Sequence, residues 1–202
     1  MKISAIKPQK KNKNRCSIFI DGEYRFGLSK EIVIKYDIHE GDDIDETHIS
    51  TVLLQEEREK VRTRAFKILQ YRQRSVHELS TRLMDIGFDR TLVDEVVEGF
   101  IEDDTLNDRR FAEAFVQDYT TLRPKGNRFI YHELIKRGIA KDIIETVLSG
   151  RDEKELITDF LHKKLRGYNL QNPKDRQRLA RQLLNRGFSS QLVYDMIREQ
   201  GG

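Results

Sequence analysis

The pattern that decides the fold is "GFSSQLVYDMI" at residues 187–197, because the chain contains it in two other places. It recurs as "GFDRTLVDEVV" at residues 87–97 and as "GIAKDIIETVL" at residues 138–148. Each copy has a glycine, a bulky apolar residue, and apolar pairs that begin four and eight residues after that residue. Spacings of three and four residues predict one face of a helix. The glycine predicts a turn, since helices commonly end at a residue with positive φ, where a Cβ is unfavourable.

The pattern extends backwards from each glycine into two further helices. Apolar residues stand eight, four and three residues before the glycines: Leu79, Leu83 and Met84; Ile130, Leu134 and Ile135; Leu179, Leu183 and Leu184. A still earlier apolar face recurs as well: Ala65, Ile68 and Leu69; Ala112, Phe115 and Val116; Ile157, Phe160 and Leu161. The chain is therefore predicted to contain three repeats of three helices, each roughly 45 to 50 residues long, which gain stability by stacking on their neighbours.

The predicted fold class is mainly α, with tandem three-helix repeats in an elongated curved array behind a small N-terminal β-rich segment. The predicted segments are these: residues 1–52, a basic β-hairpin head with an acidic connecting helix; residues 53–106, 107–150 and 151–202, the first, second and third repeats.

The head is predicted from short alternating runs. "KISAIK" alternates apolar and polar residues, and the "QKKNKN" run after Pro8 predicts a turn. "CSIFI" and "YRFGL" flank "DGE", and Asp-Gly between two such runs is a strong hairpin signal. Ser29 is expected to cap a short helix that ends near Gly41. From about residue 45 onwards the pattern is helical, as one long helix or two abutting ones.

Composition excludes several classes of protein. Among 202 residues, 35% are charged, and no apolar run approaches the roughly 20 residues that a membrane span needs. The first residues lack the apolar segment of a signal peptide. Cys16 is the one cysteine, so an internal disulfide and a multi-cysteine metal site are excluded. We therefore expect a cytoplasmic protein without a membrane association.

Charge is distributed unevenly along the chain. Residues 1–30 carry eight basic and two acidic residues, a net of +6, whereas residues 31–60 carry three basic and ten acidic residues, a net of −7. Basic residues then cluster in the loop and second helix of the later repeats, in "RPKGNRFIYHELIKRG" and "PKDRQRLARQLLNRG". The third helices tend to be acidic, as in "DEVVEGFIEDD". One edge of the array is therefore expected to be positive and the other negative.

A basic edge that repeats along an array suits an anionic partner that also repeats. The residues predicted to bind a nucleic acid or a filament are Arg72, Arg74, Arg82, Arg123, Lys125, Arg128, Lys136, Arg137, Arg176, Arg178, Arg181 and Arg186. Sequence-specific reading of duplex DNA by the third helix is disfavoured, because the acids of the first repeat, Asp94 and Glu95 among them, oppose entry into a groove walled by phosphates.

No catalytic, metal or cofactor site is predicted. His77–Glu78 and His132–Glu133 lack the second histidine that a zinc peptidase needs four residues on. "GEYRFGLS" has the spacing of a phosphate-binding loop but a leucine in the place of its lysine. Asp103, Asp104 and Asp108 could belong to a metal-dependent hydrolase, but aspartates near a helix boundary are more often caps, and they are interpreted as caps.

The sequence resembles the RecX family of regulatory proteins. The resemblance rests on "YRQRSVHELSTRLMDIGF", "GFIEDDTLNDRRFAEAFVQDY" and "RPKGNRFIYHELIKRGI". It is closest across about residues 60 to 150, and the third repeat departs from it in the long polar insert "RGYNLQNPKDR". The family's motif positions fall on Arg74, Ser75, Glu78, Leu79, Gly87, Asp103, Asp104, Phe111, Ala112, Arg123, Gly126, Glu133, Leu134, Gly138 and Ile139.

The resemblance implies a non-enzymatic protein that binds the RecA recombinase, mainly as its filament on single-stranded DNA. Such a protein lodges in the filament groove and modulates, usually inhibits, strand exchange, ATP hydrolysis and co-protease activity in DNA repair and the SOS response. We expect a monomer that also binds duplex DNA weakly. The alternatives are a general nucleic-acid-binding helical repeat protein, which would bind bare DNA as tightly as the filament, and a scaffold for unrelated partners.

Overall fold

The computed structural model describes residues 1–10, 13–164 and 167–201, and this part of the chain contains three β-strands and ten α-helices. The chain forms two compact units. The first consists of residues 1–71 with 82–99, and the second of residues 72–81 with 100–202. The mainly helical fold behind a small N-terminal sheet confirms the predicted fold class.

The N-terminal sheet has the order β1 (Ile3–Pro8), β2 (Arg15–Ile20), β3 (Glu23–Ser29), and both pairs are antiparallel. Its second turn confirms the predicted hairpin, because Asp21 and Gly22 both have positive φ (50° and 90°), as a two-residue turn that matches strand twist requires. The predicted turn after Pro8 falls partly on residues 11 and 12, which lie outside the described residues. The apolar core of this region comprises Ile3, Cys16, Ile18, Ile20, Leu28, Ile32, Ile38 and Val52.

A short helix, α1 (Lys30–Lys35), follows the sheet, and the Ser29 hydroxyl caps it by accepting a hydrogen bond from the Ile32 amide at 3.2 Å. The predicted end near Gly41 is wrong. The helix ends at Lys35 because Asp37 takes a positive φ of 50° and turns the chain away. The next helix, α2 (Glu46–Leu69), is one continuous helix capped by Asp45, so residue 52 lies inside it.

Three three-helix repeats follow, formed by α2 to α4, α5 to α7 and α8 to α10. The remaining helices are α3 (Val76–Asp85), α4 (Arg90–Glu102), α5 (Asp108–Thr121), α6 (Asn127–Lys136), α7 (Lys141–Ser149), α8 (Glu153–Lys164), α9 (Pro173–Leu184) and α10 (Ser190–Gly201).

The repeated glycines end the second helix of each repeat. Gly87, Gly138 and Gly187 have φ of 103°, 76° and 83°, which confirms the predicted turns. The amide after each glycine donates to the carbonyl five residues before it, and the glycine amide donates three residues back. This is the Schellman arrangement, and it needs a left-handed residue at the glycine position.

The repeat cores are built from the residues that stand four and eight before each glycine. Leu83, Leu134 and Leu183 are fully buried, as the periodicity predicts. Met84 and Ile135, three residues before the glycine, are also predicted on the apolar face, but both remain 38% exposed. Both residues lie in the last turn of their helix, and their own carbonyls accept the amides of Gly87 and Gly138. Their side chains therefore lie at the rim of the core.

Candidate functional site

The predicted basic residues fall into two groups, and the structure separates them by exposure and by partner. Six are exposed and have no ion-pair partner within the described residues: Arg82, Arg123, Arg128, Arg176, Arg178 and Arg181. On α9, Arg178 and Arg181 are three residues apart and share one face of the helix, while Leu179 and Leu183 are buried. These six guanidinium groups are available to an external anion.

Arg137 belongs to the second group, because it is tied into the protein. Its guanidinium donates to the Glu133 carboxylate and to the Glu133 carbonyl, both at 2.7 Å, and approaches the Glu78 carboxylate at 3.5 Å. It also lies over the Phe115 ring, 4.8 Å from the centroid. Hydrogen bonds from Arg137 and Lys136 hold the pKa of Glu133 below its ordinary value. This arginine therefore joins elements of the fold.

Other predicted binding residues are packed in the same way. Arg186 donates to the Pro124 carbonyl at 3.3 Å and covers the Phe160 ring at 4.9 Å. Lys125 lies 4.6 Å from the Phe129 ring centroid. Arg72 hydrogen-bonds to Glu78 while staying about half exposed. Arg74 is half-buried and also has a partner in the fold.

Two joints connect the second helix of one repeat to the turn of the next. We call first joint the contact of Ser75, Val76 and His77 with Asp108, Arg137 and Gly138. The Ser75 hydroxyl donates to the Arg137 carbonyl at 2.6 Å and accepts from the Glu78 amide at 3.1 Å, so it also caps α3. The Val76 amide donates to Asp108 at 2.8 Å. A Cβ at Gly138 would lie 2.4 Å from the His77 Cβ, so the glycine permits this close approach.

We call second joint the contact of Gly126, Asn127 and Phe129 with Glu153, Arg186 and Gly187. The Gly126 amide donates to the Arg186 carbonyl at 2.9 Å, and the Asn127 amide donates to Glu153 at 2.8 Å. A Cβ at Gly187 would meet the Phe129 Cβ at 2.4 Å and its amide nitrogen at 2.6 Å. Gly126 and Gly187 therefore allow the start of α6 to approach the turn after α9 closely.

Burial sets the proton affinity of one joint residue. Asp108 is half-buried, and its desolvation raises the pKa of its carboxyl above the ordinary value. The Val76 amide and the charge of His77 act in the opposite direction and offset part of this rise.

Arg151 is absent from the residues predicted from the sequence, although it makes four hydrogen bonds. Its guanidinium donates to the carbonyls of Tyr119 and Lys125, each at 2.7 Å, and to the side chains of Thr120 and Asn127 at 2.7 and 2.6 Å. Burial lowers the pKa of this guanidinium. Arg151 thus joins the end of α5 to the start of α6 and fixes the loop that carries Arg123. A lone arginine in a short linker has no sequence signal for this role.

The remaining motif positions have structural roles in the turn between α4 and α5 or in the core. Asp104 has a φ of 58°, accepts from Asn107 at 2.7 Å and pairs with Arg110 at 3.0 Å. Asp103 accepts from the Thr105 amide at 3.0 Å. Buried motif residues are Ser75, Leu79, Phe111, Ala112, Gly126, Leu134 and Ile139.

Within the described residues no cluster of three or more His, Cys, Asp or Glu could hold a metal ion. No helix in the same part of the chain is long and apolar enough to cross a bilayer.

Four family models match the chain, and together they leave only short gaps. They are "Regulatory protein RecX N-terminal domain" over residues 1–45 and the first, second and third three-helix domains of RecX over residues 62–98, 107–148 and 152–197.

Curated relatives and solved structures agree with these matches. "Regulatory protein RecX" of Halalkalibacterium halodurans is 32% identical over 199 residues, covering 95% of this chain and 75% of the relative. The protein of the same name from Clostridium botulinum is 29% identical and covers 98% and 95%. A structure titled "Crystal structure of regulatory protein RecX" has a TM-score of 0.78 at 26% identity over 98% of both chains. A second structure, titled "Crystal structure of RecX from Lactobacillus salivarius", has a TM-score of 0.60 and covers 71% of this chain and 96% of its own. Its sequence identity is 22%, so it supports the fold alone.

Proposed function

The chain belongs to the RecX family, and we propose that it is a non-enzymatic regulator that binds the RecA recombinase filament on single-stranded DNA. Membership of the RecX family supports the recombinase as the partner. Binding lowers, in this proposal, strand exchange, ATP hydrolysis and co-protease activity in DNA repair and the SOS response.

The observation that carries the proposal is the set of exposed arginines without an internal partner. Arg123 lies in the loop before α6, and Arg128 lies in the first turn of that helix. Arg178 and Arg181 lie on the outer face of α9. Two successive repeats therefore both offer free guanidinium groups on or just before their second helix, although at different positions of the repeat, to a periodic polyanion. Arg137 is excluded from this proposed contact surface because its guanidinium is only 27% exposed and donates to Glu133.

The test is charge reversal at Arg123, Arg128, Arg178 and Arg181, all changed to Glu. We expect binding to the RecA filament, measured by fluorescence anisotropy, to fall more than tenfold. The dependence of log affinity on log salt should also flatten by about 0.7 for each phosphate that the protein no longer neutralises. A matched control reverses four other exposed basic residues, Lys35, Arg90, Arg109 and Lys154, and should change affinity much less.

Circular dichroism establishes that both variants are folded before binding is compared. Equal affinity of the wild type for bare DNA and for the filament would favour the general nucleic-acid-binding protein instead. Equal loss of affinity in the two quadruple variants would reject the proposed contact surface, because net charge alone would then explain the effect.

A further inference from the structure

A groove lies between α9 and α10 in the third repeat, and among the residues predicted to bind, Arg176 is the one that lines it. It has a volume of about 460 Å³, within the range of small-ligand sites. Pro173, Arg176 and Gln177 line one wall, and Tyr194, Ile197 and Arg198 line the other. Each set follows the spacing i, i+3, i+4, so each is one stripe of one helix.

The groove combines an open aromatic ring with two guanidinium groups. Tyr194 is 54% exposed even though its neighbours Val193, Met196 and Ile197 are buried. Arg176 is exposed and has no ion-pair partner within the described residues. Arg198 donates to Asp195 at 3.0 Å on its own helix, yet its side chain remains 79% exposed. No acidic side chain lines the groove among the described residues.

This combination has the chemistry of a single-strand site. An exposed aromatic face gives every base a surface for stacking, and flanking arginines neutralise the phosphates on either side. A duplex keeps its bases stacked inside the helix, so it has no base to offer to Tyr194. A protein partner would more commonly use a dry apolar centre, whereas here the aliphatic side chains are only Pro173 and Ile197, and Ile197 is buried.

We infer that the α9–α10 groove binds single-stranded nucleic acid by stacking one base on Tyr194 while Arg176 and Arg198 hold the neighbouring phosphates. The inference deepens the proposed function and rests on it. It identifies the third repeat as a part of the chain that contacts DNA directly, with Tyr194 and Arg198 as contact residues additional to the basic set.

The experiment compares the full chain and its Tyr194→Ala variant on a labelled 20-nucleotide oligo(dT) and on an oligonucleotide of the same length with abasic sites. Stacking on an aromatic residue typically contributes enough per base that its removal weakens binding about tenfold. We expect that loss on oligo(dT), little change on the abasic strand, and near wild-type binding for Tyr194→Phe. The double variant Arg176→Ser with Arg198→Ser should weaken binding to both strands and lower the salt slope.

Several results would overturn the inference. Tyr194→Ala could bind oligo(dT) as the wild type does, or lose affinity for both strands equally. The wild type could fail to bind bare oligo(dT) at all, or the variants could lose affinity for RecA in the absence of DNA, which would indicate a protein partner. Filament binding by the wild type is measured in parallel. If the wild type binds the filament and the groove substitutions do not change binding to oligo(dT), only this inference fails. If the wild type does not bind the filament, the proposed function fails.

Discussion

The first and second joints make the same three contacts with different residues. In each, a helix start donates to the carbonyl before a glycine, the next amide donates to a carboxylate at the start of the following repeat, and a bulky side chain rests on the glycine. Ser75 is the donor in the first, whereas the backbone of Gly126 is the donor in the second. The geometry is therefore shared, and the side chains that satisfy it are not.

The glycine at Gly87 supplies a third case. It has the same positive φ as Gly138 and Gly187, but nothing lies within 4 Å of the position where its Cβ would be. One residue type at one place in the repeat thus serves conformation alone in the first repeat, and both conformation and close packing in the later two.

The largest expected effect is from Gly187→Ala. The positive φ costs about 1–2 kcal/mol for a residue with a Cβ, and the methyl group would meet the Phe129 backbone, which cannot swing aside. We expect the free energy of unfolding to fall by about 3 kcal/mol in total. Urea unfolding measures this free energy. Hydrogen exchange of the α6 and α9 peptides localises the effect.

Gly87→Ala is the matched control, since it carries only the conformational cost of about 1–2 kcal/mol. Gly138→Ala should fall between the two, because its neighbour is the His77 side chain. If Gly87→Ala and Gly187→Ala destabilise the chain equally, close packing against Gly187 does not contribute to the free energy of unfolding. The two turns would then differ in geometry but not in energy.

Arg151→Met tests the contact that Arg151 makes beside the second joint, where it joins the end of α5 to the start of α6. The substitution keeps much of the aliphatic length but removes the Arg151 donor from the Lys125 carbonyl and from the Tyr119 carbonyl, which keeps only the Lys125 amide. We expect stability to fall by about 2 kcal/mol, since water can reach the half-buried site. Faster hydrogen exchange confined to residues near 119–127 would support the role of Arg151 in holding the loop.

Unchanged exchange in that segment would show that the loop is ordered without Arg151. Arg109→Met is the control, because Arg109 is exposed and pairs with Glu113 on its own helix, where such pairs contribute little.

The sequence predicted the helices, the glycine turns and the hairpin, because each depends on local spacing. It did not predict which arginines are free. Arg137 and Arg123 occur in the same basic run, and only the folded chain shows that Glu133, Glu78 and Phe115 occupy the first while the second faces solvent. The joints could not be predicted for the same reason, since Ser75 and Gly126 have no common side-chain chemistry.

Ser75→Ala should have a smaller effect than Arg151→Met. It removes the hydrogen bond to the Arg137 carbonyl and the cap of α3, together about 1.5 kcal/mol. Ser75→Thr keeps the hydroxyl and is the conservative comparison. The free energy of unfolding from urea titration measures both. Equal stability of Ser75→Ala and wild type would mean that the first joint, unlike the second, is held by packing without this hydrogen bond.

The smallest effect depends on pH and distinguishes the joints by their carboxylates. Because burial raises the pKa of Asp108, folding favours its protonated form. Its contribution to stability is therefore greatest below the ordinary aspartate value, about 3.9, and decreases as pH rises through the raised value.

Asp108→Asn keeps an oxygen to accept from the Val76 amide but cannot ionise. The stability of the wild type relative to this variant should consequently fall as pH rises from below the ordinary aspartate value through the raised one. The charge of His77 lowers the pKa of Asp108, so a parallel measurement in the His77→Gln background should enlarge the effect. A relative stability that rises with pH would show that the Val76 hydrogen bond outweighs burial, and that the first joint favours the charged carboxylate.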